Sequence, residues 1–186
     1  MNLTINTAKK HIKNLLLISG SGRNAGKTTL ACAIIKEVST KSAIYALKIS
    51  PHFHKLSKNQ ELLVQHEGFK IFREKDKNAS KDSSRMLQAG AKDVFYIQCK
   101  DDNVAEAFQR ALQFIPKNAP VVCESGSLAK YCKPGLHLLI DNTVNEDYKK
   151  TFLENMQLAN HIITFDGTNF SLNINHISFN GLAWSF

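Results

Sequence analysis

Apolar runs of strand length alternate with longer amphipathic stretches along most of this chain. Asn14–Ser19 (NLLLIS) reads as a buried strand. Gly26–Ser39 places Leu30, Ile34, Ile35 and Val38 on one helical stripe. Further strands are expected at Ser42–Ile49, Asp93–Gln98, Pro120–Glu124, Leu136–Asp141 and His161–Phe165. Helices are expected at Ser83–Ala89, with Asp82 as N-cap and Gly90 as stop, at Asn103–Ile115, and at Glu146–Leu158. The tail Phe170–Phe179 predicts a pair of short strands at a sheet edge.

Residues 50–81 interrupt the alternation. Within them Glu61–Gln65 and Phe69–Arg73 flank His66-Glu67-Gly68, where the glycine is expected to supply the positive φ of a tight turn. The pattern predicts a small β-hairpin insert over about residues 55–81. Strands alternating with helices predict an α/β fold, a doubly wound and mostly parallel sheet in a single domain over 1–186. In such sheets ligands sit at the carboxyl ends of the strands.

At that end of the first strand lies Gly20-Ser21-Gly22-Arg23-Asn24-Ala25-Gly26-Lys27-Thr28-Thr29. A Gly-Lys-Thr run that follows a strand and opens a helix is the pattern of a phosphate-binding loop, a Walker A or P-loop motif. Its glycines let backbone N–H groups turn inward around phosphates, and the helix N-terminus adds partial positive charge. Lys27 is then the residue that reaches the β- and γ-phosphates, and Thr28 the one whose hydroxyl meets Mg²⁺. Five residues separate Gly20 from Gly26, one more than in the common pattern, so the loop is a longer variant. Arg23 and Asn24 at its tip are candidates for a γ-phosphate or second-substrate contact, and equally for plain turn residues.

Other candidates follow strands or begin helices at the same end. Glu124 ends an otherwise uncharged strand, and Asp82 begins a helix; with Thr28 they supply the oxygen ligands that nucleotide-bound Mg²⁺ prefers. Lys48 ends the second strand, where it would neutralise phosphate charge or hold a substrate anion. His52 and His54 form a weak H-x-H signal for a metal or an oxyanion. No N-K-x-D guanine-reading motif is present, so the residues leave GTP and ATP both open; Asn180 is a speculative base contact.

Composition narrows the classes. No apolar run reaches the roughly 20 residues a membrane helix needs, and the lysines of Met1–Lys13 precede too short an apolar stretch for a signal peptide, so a cytoplasmic protein is expected. The four cysteines show no paired or zinc-ligand spacing, so reduced, structural thiols are expected. The net charge is +8, but the lysines are scattered and lack a nucleic-acid motif. A solvated basic surface that favours anionic ligands is the expectation, with nucleic acid unfavoured.

The loop, Lys48-Ile-Ser-Pro-His-Phe-His54, Lys81-Asp-Ser-Ser-Arg-Met-Leu-Gln-Ala-Gly-Ala91 and Glu124-Ser-Gly126 together resemble the molybdopterin-guanine dinucleotide biosynthesis protein B family over roughly residues 14–126. That resemblance implies a P-loop NTPase fold, GTP binding with Mg²⁺, slow hydrolysis, and a supporting role in molybdenum cofactor biosynthesis with a molybdopterin-type or other small anionic substrate. A homodimer is also implied. Ser80-Lys81-Asp82 stands where the family has G-K-D, and Glu124-Ser125 where it has E-G. More distantly, the phosphate loop is similar to that of dethiobiotin synthetase, which implies ATP-dependent ligase or phosphoryl-transfer chemistry as the alternative. A nucleotide-sensing adaptor is a third expectation.

Overall fold

A computed structural model describes residues 9–54, 59–144, 148 and 150–186. The basic stretch Lys55–Lys58 and the expected helix start at Glu146 lie outside the described residues. In chain order the elements are β1 (His11–Gly20), α1 (Lys27–Ser39), β2 (Tyr45–Ser50), β3 (Gln60–Gln65), β4 (Phe69–Glu74), α2 (Asp82–Gln88), β5 (Asp93–Cys99), α3 (Val104–Leu112), β6 (Val121–Glu124), β7 (Lys133–Asn142), α4 (Lys150–Met156), β8 (His161–Phe165), β9 (Ser178–Phe179) and β10 (Trp184–Ser185).

Eight strands form one sheet in the order β3-β4-β5-β2-β6-β1-β7-β8. Only β4 runs against its neighbours; the other contacts between adjacent strands are parallel. Both faces are covered, which explains the unbroken apolar run in β1. Leu16 and Ile18 pack with α1 residues Leu30, Ile34 and Ile35 on one face. Leu15 and Leu17 point the other way, into a cluster with Val104, Ala107 and Phe108 of α3. A strand buried on two faces carries no polar alternation. Among the described residues no helix is long and apolar enough to cross a membrane.

The hairpin is not an excursion. β3 and β4 extend the main sheet, β4 pairing antiparallel with β5 from Phe69↔Cys99 to Arg73↔Phe95. Phe69, Ile71 and Phe72 are fully buried, so β4 needs cover that a free hairpin would lack. Gly68 does not take positive φ in the turn. It is needed for space: a Cβ there would fall 2.1 Å from Asn103 Oδ1.

Other boundaries also move. β1 starts at His11, so the polar lead-in ends earlier than expected, with His11 registered against Lys133. α2 is capped by Lys81, and Asp82 is its first helical residue, its carboxylate turned to an ion pair. The tail does not extend an edge. Its strands, β9 and β10, pair with each other further along the chain, and Ile177 and Trp184 cover the α1 face. Trp184 Nε1 donates to the Asn14 carbonyl at 2.9 Å. Phe170 forms only an isolated bridge to Phe165.

Candidate functional site

The parallel strands β1, β2 and β6 lie side by side, so the segments leaving their carboxyl ends converge. They line a cleft of about 920 Å³. The loop from Gly20 to Gly26 forms one wall. Gly26 sits at the N-cap of α1 with φ +81°, in the left-handed region that glycine alone enters cheaply. No side chain caps α1 and no acidic residue occupies its first turn, so no residue of the helix itself offsets its positive end at the cleft. Asn24 also has positive φ, at 56°.

Within the loop the residues divide. Gly20, Gly22, Arg23, Asn24, Ala25, Gly26, Lys27, Thr28 and Thr29 all border the cleft. Ser21 does not: it is buried, its N–H donating to the Ile140 carbonyl at 2.9 Å and its hydroxyl accepting from the Asn142 N–H at 3.2 Å. Its place in the motif is structural, fastening the loop to β7. Arg23 and Asn24 are exposed at the tip. Lys27 Nζ donates to the Gly22 carbonyl, folding the side chain back over its own loop.

The floor holds the charges. Thr28 Oγ1 donates to Glu124 Oε2 at 2.7 Å. Lys48 Nζ lies 2.8 Å from Asp82 Oδ2 and also donates to Glu124 Oε1. Glu124 is 2% exposed and Thr28 7%. Four residues far apart in sequence thus share one hydrogen-bonded cluster. Burial alone would depress the Lys48 pKa, yet the carboxylates of Glu124 and Asp82 outweigh it, and the ammonium is held above its usual value. Burial likewise opposes ionisation of Asp82, but Lys48 wins there too and keeps that carboxyl below its usual range.

Two carboxylates and a hydroxyl form a hard oxygen set of the kind Mg²⁺ takes, with water and phosphate oxygens completing its shell. Thr28, Asp82 and Glu124 therefore fit that ion by donor type. Among the described residues no group of three or more His, Cys, Asp and Glu side chains is placed to hold a metal unaided. His52 and His54 reach the cleft rim with ring centroids 6.2 Å apart, but among the described residues no acidic side chain or cysteine joins them to form a metal-binding group. Asn180 is elsewhere: its Oδ1 accepts from the N–H groups of Leu182 and Ala183, and its neighbours Phe179 and Gly181 border a depression at the amino ends of β2 and β6.

The structure adds residues that the motif did not reveal. Arg85, one helical turn after Lys81, donates to Thr29 Oγ1 at 3.3 Å. Ser125 Oγ accepts from the N–H groups of Ser127 and Leu128 and so shapes the turn after Glu124. Spacing along α2 could have pointed to Arg85; the sequence marks Ser125 only as a serine where the family it resembles has glycine, with no sign of its turn-shaping role. The thiols of Cys32 and Cys99 are pushed up to about 11 by burial, so neither offers a thiolate near neutral pH. Neither a protein-family model, nor a curated protein, nor a solved structure matches this chain.

Proposed function

We propose that the chain binds a nucleoside triphosphate with Mg²⁺ in this cleft and hydrolyses it slowly, as a doubly wound P-loop NTPase. The observation that carries the proposal is the Gly20–Thr28 loop, which leaves a buried parallel strand, opens an uncapped helix and places Thr28 against Glu124. The backbone N–H groups of the loop and the first turn of α1 bind phosphate oxygens. Lys27 exchanges its Gly22 carbonyl for a phosphate oxygen. Thr28, Asp82 and Glu124 would hold the metal directly or through water, and Mg²⁺ there would supply charge to offset that developing on the phosphates. The cleft orients a water for attack at the γ-phosphorus. No side chain stands out as its base, which fits slow turnover.

The similarity to the molybdopterin-guanine dinucleotide biosynthesis B family supports GTP and a role beside a small anionic acceptor. A second reading draws on the width of the cleft. Ser50, His52, His54 and Gln98 continue it past Lys48, leaving room for a phosphoryl acceptor as in dethiobiotin synthetase.

Titration of the protein with labelled GTP and ATP, with and without Mg²⁺, tests the proposal. Mg²⁺-dependent binding is expected, weakened on the order of 100-fold by Lys27→Ala, the equivalent of about 3 kcal/mol of charge-assisted contacts. Absence of binding to either nucleotide at millimolar concentration would sink the reading. Turnover that requires an added metabolite would favour phosphoryl transfer over simple hydrolysis.

A further inference from the structure

The cation between Asp82 and Glu124 belongs to the protein. Lys48 leaves the middle of the sheet, flanked by β5 and β6 in register with Tyr96 and Glu124. Its side chain is 16% exposed, and its ammonium contacts one oxygen of each carboxylate. The other oxygen of Glu124 is held by the Thr28 hydroxyl. The donors proposed for the metal are therefore already engaged with one another and with Lys48. A dication that takes both carboxylates is brought close to the ammonium, and like charges that close repel, most strongly beside Glu124, which is buried, and less beside Asp82, whose side chain is 44% exposed.

We propose that Lys48 is a tethered counter-ion that bars free Mg²⁺ from the carboxylate pair, so that the metal enters only with an anion able to receive the displaced ammonium. This rests on the nucleotide reading above and deepens it. Charge bookkeeping explains the direction. The pair carries −2 and Lys48 restores +1, so the cluster holds a net −1 and attracts a bare dication weakly. A polyphosphate beside Lys27 offers oxygens to the released ammonium. Metal and nucleotide then bind as a coupled pair, each raising the affinity for the other by the same factor. Because Lys48 is anchored at its Cα in the central sheet, the exchange needs only a rotation of its side chain.

The test uses nucleotide-free, chelator-treated protein and reads divalent binding directly, with Mn²⁺ followed by electron paramagnetic resonance and Mg²⁺ by thermal shift. Lys48→Met is expected to bind Mn²⁺ at least about tenfold more tightly than the wild type. Lys48→Arg, which keeps the charge, is expected to stay at the wild-type level. Adding Glu124→Gln to Lys48→Met should remove the gain. Equal Mn²⁺ affinity in wild type and Lys48→Met overturns the proposal, and so does a gain that survives Glu124→Gln. Should Lys48→Met fail to fold, the wild-type ammonium carries the test. Its nitrogen-15-correlated resonance should be visible without metal and shift to a new position when MgCl₂ and GTP or ATP are added together, but stay in place with MgCl₂ alone at the same concentration; a shift or loss with MgCl₂ alone, or no change with both, overturns the proposal. The outcomes separate from those of the nucleotide titration. A Lys48→Met gain in a protein that binds no triphosphate retains the barrier and discards the nucleotide, whereas nucleotide binding without the gain does the reverse.

Discussion

Two glutamates of this sheet, Glu74 and Glu124, are equally buried, each 2% exposed, and are satisfied in opposite ways. Glu74, at the end of β4, accepts from neutral donors: Gln60 Nε2 at 2.8 Å, Ser83 Oγ at 2.7 Å, and the backbone N–H groups of Lys75 and Asp76. These dipoles are fixed by the chain and bind β3, the β4 exit and α2 together. Glu124 faces the Lys48 ammonium and a threonine hydroxyl, both of which also border the cleft. Burial does not distinguish the carboxylate at the cleft from the one that ties the sheet edge together. The distinction lies in whether its partners can leave.

Removing each carboxylate tests that contrast most severely. Glu74→Ala leaves the Gln60, Ser83 and Asp76 donors without their acceptor, while the Lys75 N–H keeps the Asn59 carbonyl, and is expected to cost about 3–5 kcal/mol in denaturant unfolding. Glu124→Ala opens onto the cleft, where water can replace the lost acceptor, so a smaller loss of about 2 kcal/mol is expected. Its larger effect should be loss of the Mg²⁺ dependence of nucleotide binding, which Glu74→Ala leaves intact in whatever fraction remains folded. A greater stability loss for Glu124→Ala would break the comparison.

His137 provides a third buried polar group, and its effect should rank next. It is fully buried on β7 with Nε2 2.7 Å from Ser19 Oγ, one residue before the loop. Burial pushes its imidazole down to about 4, from an ordinary value of 6.5. The fold thus favours the neutral ring. That stability is complete above pH 6.5 and is lost as pH falls from 6.5 towards 4, by up to about 3 kcal/mol. His137→Gln should flatten this part of the stability profile, measured by chemical denaturation across that window.

The smallest pair of changes sharpens the contrast hydroxyl by hydroxyl. Ser83→Ala and Thr28→Ala each remove one donor from a buried glutamate, at 2.7 Å in both cases. Each is expected to cost about 1–2 kcal/mol of stability. Only Thr28→Ala should weaken Mg²⁺-dependent nucleotide binding; calorimetric titration of both variants decides it.

The sequence made local order legible and long-range docking largely illegible. The run Leu15–Ile18 announced a strand covered on both faces, and the strand-loop-helix grammar put Lys27, Thr28, Lys48, Asp82 and Glu124 at one end of the sheet. For Lys27, Thr28, Lys48 and Glu124 convergence needs only that β1, β2 and β6 be neighbours, while Asp82 also needs α2 to pack beside α1 and β2. The turn between Gln65 and Phe69 was also visible, but not that β4 would dock antiparallel on β5, because pairing across more than twenty residues leaves no local mark. Ser21 shows the same limit at the scale of a side chain. A loop motif lists residue types, while β7, far along the chain, decides which of them faces inward. Glu74 gave no warning, since its four donors come from three separate segments.

Strand β1 carries a consequence for how the molecule is made. Its partners are distant: Ser19 meets His137 across 118 positions, and Trp184 reaches Asn14 across 170. Contacts of such separation are slow to form, because long loops must close before any burial is gained. During synthesis the segment that leads into the glycine loop precedes its β7 partner by more than a hundred residues, so its four consecutive apolar side chains await cover and suit chaperone binding meanwhile. The loop takes its shape only when β7 supplies the carbonyl of Ile140 and the amide of Asn142. A ligand of that loop would therefore recognise finished molecules alone, and its capture would time the last step of folding rather than the first.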